Sequence, residues 1–324
     1  MQRRGQNIIR VSLLFLYIFS FTLACHTHSP QLTNTAPNSS SSSTRLVKHA
    51  MGETPVPAYP QRVITLDGSG LENALTVEVK PVGTVLNTDI DSPPSYLKGK
   101  LTEIERIGTI AQPSLEKILT LKPDLILSIT GVSESIYPQL TQIAPTILAP
   151  FTGGDSWKES LTIHAQALGK TDLADQWIQH YQERLNTFRQ QMGSRLETIE
   201  VSVIRLYPEG PSLYLPDSFA GKILQEAGLS RPSSQRGTGG QRPISQELLL
   251  QADGDVLFLW ISDDDFADEV QDTALARLKA DPLWSQLKAV QQNHVYEVPG
   301  YWLGFGPIAA NAVVDDLFTY LLKE

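Results

Sequence analysis

Pro113-Ser114-Leu115-Glu116-Lys117-Ile118-Leu119-Thr120-Leu121-Lys122-Pro123-Asp124-Leu125-Ile126-Leu127-Ser128 reads as a helix that runs straight into a buried strand. Pro113 and Ser114 supply a helix start, and Leu115, Ile118, Leu119 and Lys122 recur at helical spacing over Ser114–Leu121. The stretch Asp124–Ser128 is apolar on both faces, as expected of a strand inside a parallel sheet. Working outward, the same alternation continues. Arg62–Leu66 is a strand, Leu71–Leu75 a short helix after Gly68-Ser69-Gly70, and Pro81-Val82-Gly83 the start of another strand. Tyr137–Ile143 and Thr146–Leu148 repeat helix then strand. Residues 56–168 therefore form an α/β lobe.

From Thr171 to about Ser194 the pattern is helical without interruption. Leu173, Trp177, Tyr181, Leu185, Phe188 and Met192 recur every three or four residues, and no Pro or internal Gly intervenes before Gly193. Residues 169–196 are thus a long connecting helix. The alternation then restarts over residues 197–324. Strands are expected at Val201–Leu206, Val256–Trp260 and Val295–Val298, and helices at Phe219–Ala227, Ser245–Gln251, Leu283–Ala289 and Ala309–Leu322. The architecture is lobe, long helix, lobe.

Apolar residues make up 41% of the 324 and charged residues 19%, a globular composition. The formal charge is −9, and leaving out residues 1–24, with Arg3, Arg4 and Arg10 and no acid, makes it −12. An acidic surface of this size repels phosphate backbones, which argues against a nucleic-acid partner. Three arginines followed by the apolar run Ile8–Ala24 have the order of an export signal, residues 1–24. Cys25, the only cysteine, closes Phe21-Thr22-Leu23-Ala24-Cys25, which reads as a lipidation box with Thr22 in the usual place of Leu. Residues 25–55 are then expected to be a lipidated cysteine and a flexible linker, because the Ser/Thr/Asn/Pro-rich part cannot bury enough apolar surface to offset its ordering entropy. An uncleaved anchor and an ordinary cleaved signal are the alternatives.

Enzyme signatures are missing. There is no G-x-S-x-G, C-x-x-C or H-E-x-x-H. Leu168-Gly169-Lys170-Thr171 resembles the end of a phosphate loop but has His164 at the required upstream glycine. Asp263-Asp264-Asp265 lacks EF-hand spacing and reads as a solvated acidic loop. The six histidines are scattered, and His26 and His28 fall in the polar linker, so a bare-metal site is not expected.

Five segments, in order, carry a family resemblance. They are Pro60–Leu66; Ile107-Gly108-Thr109 with Pro113–Leu127; Ile143-Ala144-Pro145-Thr146; Ile244–Leu249 with Asp255–Leu259; and Trp284 through Val298, Trp302 and Asp316-Leu317. Residues 56–324 resemble the periplasmic binding proteins of iron–siderophore and cobalamin importers, the class III type. The resemblance implies an α/β protein of two Rossmann-like lobes joined by one long backbone helix, with the ligand in the cleft between them and only modest closure. It also implies that the chain is a non-enzymatic substrate-binding lipoprotein without a cofactor of its own. Iron would be bound only as a siderophore chelate, with haem or cobalamin as the alternative. The implied partners are an ABC permease dimer with its ATPase and a membrane reached through the lipid anchor, the protein itself being periplasmic and monomeric.

Particular residues take roles by the same comparison. Glu116 and Glu247 match acidic positions, one per lobe, that dock on permease arginines; the simpler reading is a glutamate favoured in the first turn of each helix. Arg205, Trp302, Tyr214, Tyr301, Arg236 and Arg242 are candidate ligand contacts, since a bulky oxygen-rich chelate suits guanidinium forks and aromatic faces. Their alternatives are surface ion pairs for the arginines and core packing for the aromatics. In the first lobe, contacts are expected from loops around Ser69, Asn87 and Thr130.

Overall fold

The structure, a computed structural model, describes residues 43–86, 94–261 and 268–322. Cys25 with the export signal, Asn87 and Asp263–Asp265 lie outside the described residues.

The chain first forms a hairpin, β1 (Thr44–His49) paired antiparallel with β2 (Gly52–Pro57). Its period-two pattern buries Val47 and Val56 completely and leaves Leu46 exposed. The hairpin is seated on the first lobe: Ala50 N donates to Leu148 O (2.9 Å), Leu148 N to His49 Nδ1 (3.2 Å) and Arg45 Nη1 to Gln166 O (3.1 Å). Residues 44–55 are thus a packed hairpin where the sequence suggested linker. Two buried valines and a few backbone bonds suffice to order it, which composition averaged over the Ser-rich stretch does not show.

The first lobe continues with β3 (Val63–Thr65), α1 (Gly68–Thr76), β4 (Gly83–Leu86), β5 (Glu105–Thr109), α2 (Leu115–Thr120), β6 (Leu125–Ile129), α3 (Tyr137–Thr141), β7 (Thr146–Ala149) and α4 (Trp157–Leu168). The strands form one parallel sheet in the order β5-β4-β3-β6-β7. All five residues of β6 are buried, as a strand covered on both faces requires. Ser114 caps α2 by accepting from Lys117 N. Helices α1 and α4 meet through a buried polar cluster: Ser69 Oγ lies 2.9 Å from Ser160 Oγ, and Asn73 Nδ2 reaches Ser160 Oγ (2.9 Å) and His164 Nδ1 (3.0 Å).

α5 (Thr171–Met192) is the long helix, 22 residues and about 33 Å at 1.5 Å per residue, followed by a 3₁₀ turn, Gly193–Glu197. Its apolar stripe, Tyr181, Leu185, Phe188 and Met192, joins one core that draws residues from both lobes. Glu226 gathers polar contacts from several elements: Tyr181 Oη donates to Oε2 (2.8 Å), Lys158 of α4 pairs with Oε1, and Arg189 donates to its main-chain oxygen.

The second lobe comprises β8 (Val201–Tyr207), β9 (Gly210–Tyr214), α6 (Phe219–Glu226), β10 (Gln241–Pro243), β11 (Val256–Ile261), α7 (Asp268–Ala280), α8 (Lys288–Gln291), β12 (Val295–Val298) and α9 (Pro307–Leu321). The sheet order is β10-β9-β8-β11-β12, with β8, β11 and β12 parallel and β9 and β10 antiparallel at one edge. The helix expected at Ser245–Gln251 is a 3₁₀ turn, Gln246–Ala252. The architecture is two α/β lobes linked by a long helix. Among the described residues no helix is long and apolar enough to cross a membrane.

Candidate ligand cleft

A cavity of about 290 Å³ opens between the lobes. The first lobe contributes Phe151, Gly153 and Gly154 after β7, and Trp157 at the start of α4; the second contributes Arg205, Tyr214, Phe219 and Phe305 among others. The lobes touch here at backbone level. Gly154 N donates to Asp217 O (3.2 Å), and a Cβ on Gly154 would run into the Ser218 carbonyl and stand 2.6 Å from Phe219 N. Only glycine allows this approach.

Arg205 is the cation of the cleft. The register of β8 with β11 sets Trp260 beside Arg205, and Tyr207 follows two residues on, pointing to the same face. The guanidinium carbon lies 4.0 Å from the Trp260 ring centroid and 4.3 Å from that of Tyr207. Cation–π contact with two rings holds the guanidinium in the wall of the cleft. Tyr214 packs edge-on against Trp260 at 5.6 Å and is almost wholly buried, so it lines the cleft chiefly as support for that ring.

The other sequence candidates fall elsewhere. Trp302 is fully buried: its indole sits 4.5 Å from the Phe258 ring, and Nε1 donates to Asp316 Oδ2 (2.8 Å). Tyr301 donates its hydroxyl to the same oxygen (2.8 Å) and meets Tyr96 edge-on at 5.9 Å. Both aromatics anchor the loop after β12, and its next residues, Leu303, Gly304 and Phe305, line the cavity. Arg236 pairs with Glu200 (2.6 Å), just before β8 and at the end of that strand away from Arg205. Arg242 donates to Ser234 O (2.8 Å) and Gln251 Oε1 (3.3 Å). Neither lines the cavity. Of the first-lobe expectations, Ser69 is buried between α1 and α4, whereas Thr130 Oγ1 accepts from Phe151 N (2.8 Å) and holds that cleft residue.

Glu116 and Glu247 are both exposed, in the first turns of α2 and of the 3₁₀ segment Gln246–Ala252. Each has an exposed leucine three residues on, Leu119 (61%) and Leu250 (45%). The Ser245 side chain, together with the backbone N–H of Glu247, holds the Glu247 carboxyl below its usual range.

Sequence reading missed a second contact between the lobes. Glu72 of α1, fully buried, accepts from Ala309 N (2.9 Å) in the first turn of α9 and from Tyr96 Oη (2.9 Å). The carboxylate caps the helix of the other lobe, where the macrodipole favours an anion. Burial nevertheless outweighs these bonds and pushes its pKa from 4.5 up to about 7. Gly306 gives it room, since a Cβ there would stand 2.6 Å from Glu72 Cβ. Among the described residues no cluster of three or more His, Cys, Asp or Glu could hold a metal ion.

The profile of the periplasmic binding protein family matches residues 63–301. The chain belongs to the periplasmic binding protein family. This binding protein is 34% identical over 323 residues to the probable siderophore-binding lipoprotein YfiY of Bacillus subtilis (strain 168), covering 97% of this chain and 98% of that one. It is 31% identical over 265 residues to the achromobactin-binding periplasmic protein of Dickeya dadantii (strain 3937), covering 80% and 85%. Its fold superposes on Staphylococcus aureus SirA complexed with staphyloferrin B with a TM-score of 0.76 at 28% identity, over 86% of this chain and 98% of that one. Membership makes this binding protein the solute-capturing component of an ABC transporter and not an enzyme.

Proposed function

We propose that this protein captures a ferric siderophore in the cleft around Arg205 and delivers it to the membrane permease of an ABC importer. The observation that carries this is the Arg205 guanidinium, in contact with the Trp260 and Tyr207 rings, in the wall of an aromatic-lined cavity between the lobes. A guanidinium suits the anionic oxygens of a chelate, while the surrounding rings suit its organic frame. The siderophore ligands in the names of relatives across nearly the whole chain support the same reading. Iron enters and leaves as cargo inside the chelate, and the protein supplies no resident cofactor. Haem would ask for an axial Tyr or His, but Tyr214 is buried and Tyr301 is engaged with Asp316. Titration of the protein with ferric siderophores, following tryptophan fluorescence, tests the proposal. Saturable quenching by an iron complex and not by its iron-free form is expected; a folded protein that ignores every ferric chelate refutes it.

On delivery, Glu116 and Glu247 act as one anionic knob per lobe on basic sockets of the permease dimer that its ATPase drives. Exposure of both glutamates, each beside an exposed leucine, supports this. Reversing both charges is expected to abolish uptake and leave ligand affinity in solution unchanged; lost affinity would refute docking as their role. Cys25 serves as the lipid anchor that keeps the monomeric protein beside its permease, as the lipoprotein named among its relatives supports. Intact mass of the membrane-fraction protein would show a diacylglycerol on Cys25, and a chain without it would refute the anchor.

A further inference from the structure

The cavity wall supplied by the second lobe ends in a loop that the first lobe holds. Leu303, Gly304 and Phe305 line the cavity and run through Gly306 into α9. The half-buried Phe305 ring lies over the start of α1, where a Cβ on Gly68 would stand 3.6 Å from its Cδ2. One turn further along α1, Glu72 meets the same loop. Its Oε2 accepts from Ala309 N (2.9 Å), and the backbone of Phe305 and Ile308 also favours its charged form. Gly306 stands against the Glu72 side chain and Gly304 against Ala309, so closely that a Cβ on either would collide. The loop therefore has no room to shift while Glu72 keeps its place. Upstream, Asp316 fixes the loop within its own lobe by accepting from Tyr301 and Trp302 (both 2.8 Å). Phe305 is thus a cleft residue whose place is set across the lobe boundary.

The other titratable groups bonded into this junction have partners of their own. Tyr96 donates to Glu72 itself (2.9 Å), and Asp67, the N-cap of α1, accepts from Gly70 N (2.8 Å). His164 of α4 bonds Asn73 and the Ser128 carbonyl, and Arg184 of α5 bonds Asn311 and pairs with Asp315 of α9. Strands β3, β4 and β6, which also pack on α1, carry no titratable side chain. A chelate entering the cavity displaces water from the loop that Glu72 holds and brings negative oxygens toward it. Both changes disfavour a carboxylate.

We propose that Glu72 is a positioning residue for the cargo, which sets the Phe305 wall of the cleft from the opposite lobe and takes up a proton as the chelate enters. This rests on the siderophore reading above. Burial already brings the Glu72 pKa to about 7, so the uptake falls within the range about pH 6 to 8, and affinity decreases as pH rises through it. The test titrates the full chain with ferric siderophores of trihydroxamate, tris-catecholate and citrate type, then follows the tightest binder from pH 6 to 8 at fixed ionic strength. Glu72→Gln keeps an acceptor for Ala309 N and should bind within about threefold of wild type at pH 6. Over the pH range wild type should lose at least about threefold in affinity relative to Glu72→Gln, a difference that cancels any titration of the chelate or of other residues. Glu72→Ala frees the loop and should weaken binding at least about tenfold, but by less than about threefold in a Phe305→Ala background, because the effect runs through that ring. Identical pH profiles for wild type and Glu72→Gln would overturn the proposal while the siderophore reading stands, even if Glu72→Ala fails to fold. An equal loss from Glu72→Ala with and without Phe305 would overturn it too. No binding of any ferric chelate by the wild-type chain would instead overturn the siderophore reading, and the role of Glu72 with it.

Discussion

Replacing Glu72 with Gln should unmask a pH dependence of stability that the wild-type protein conceals. Glu72 is fully buried, and its pKa rises from 4.5 to about 7 on folding because burial disfavours the carboxylate. The folded state therefore binds more protons than the unfolded chain between those values, and stability falls as pH rises through them. At about 1.4 kcal/mol for each tenfold in proton affinity, the full loss is about 3 kcal/mol. His164 works in the opposite sense. Its Nε2 faces the Ser128 carbonyl (2.9 Å), so it carries the proton, and Nδ1 must accept from Asn73 Nδ2. Burial lowers this pKa from 6.5 to about 4, so stability is complete above 6.5 and is lost as pH falls toward 4, again by about 3 kcal/mol. The two slopes overlap and nearly cancel between pH 4.5 and 6.5. Glu72→Gln keeps an acceptor for Ala309 N and has no charge to lose. Its thermal midpoint relative to wild type should rise by roughly 6 °C from pH 4.5 to 8, at about 2 °C per kcal/mol for a protein of this size. His164→Gln should move the other way, gaining on wild type as pH falls from 7 to 4. Scanning calorimetry across that range measures both differences. Parallel curves for Glu72→Gln and wild type would show that Glu72 is ionised near pH 7 like an exposed glutamate.

Arg205→Lys keeps the charge but loses the planar fork and the double ring contact, so ferric-chelate affinity should drop at least about tenfold with the midpoint of unfolding little changed; equal affinity would mean that charge alone is needed. Gly154→Ala forces its methyl into the Ser218 carbonyl, and should lower stability by about 1–3 kcal/mol and weaken ligand binding together. An unaltered protein would show that the lobes stand farther apart at this point. Trp302→Phe removes the indole donor to Asp316 and should cost about 1–3 kcal/mol in denaturant unfolding. Because this side chain is wholly inside, the same variant should bind ligand as wild type does, and a selective loss of affinity would place Trp302 back at the cleft.

What the sequence disclosed, and what it did not, follows from the range of the interactions. The α5 stripe and the helix–strand alternation are local periodicities, so Leu185, Phe188 and the all-buried β6 were legible directly. The hairpin was not, because Val47 and Val56 become core only when placed against the first lobe. Arg205 was a candidate through the family resemblance, but the rings that hold it come from residues 207 and 260, and strand register alone unites them. Trp302 sits in the expected loop, yet the direction of its side chain is set by Asp316 on α9 and Phe258 on β11. The aromatic wall escaped notice because Phe151, Phe219 and Phe305 lie on three separate loops or helix starts. Glu72 gave no signal either: a glutamate in a short helix looks like a solvated one until the other lobe delivers a helix end to it.

Connections cross between the lobes at several separate places, among them the α5 helix, the Lys158–Glu226 pair, the Gly154–Asp217 backbone bond and Glu72 on the first turn of α9. Attachment at several points resists the rotation of one lobe on the other, so the molecule works more as a gauge than as a jaw. Ligand entry then waits on no opening step, and arrival should be fast and similar for any chelate that fits. Discrimination falls to departure, with the preferred complex being the one that stays longest. A fixed gauge also looks much the same empty or full. An importer facing it would have to sense the cargo itself, or the time it remains, instead of a change in the carrier's outline.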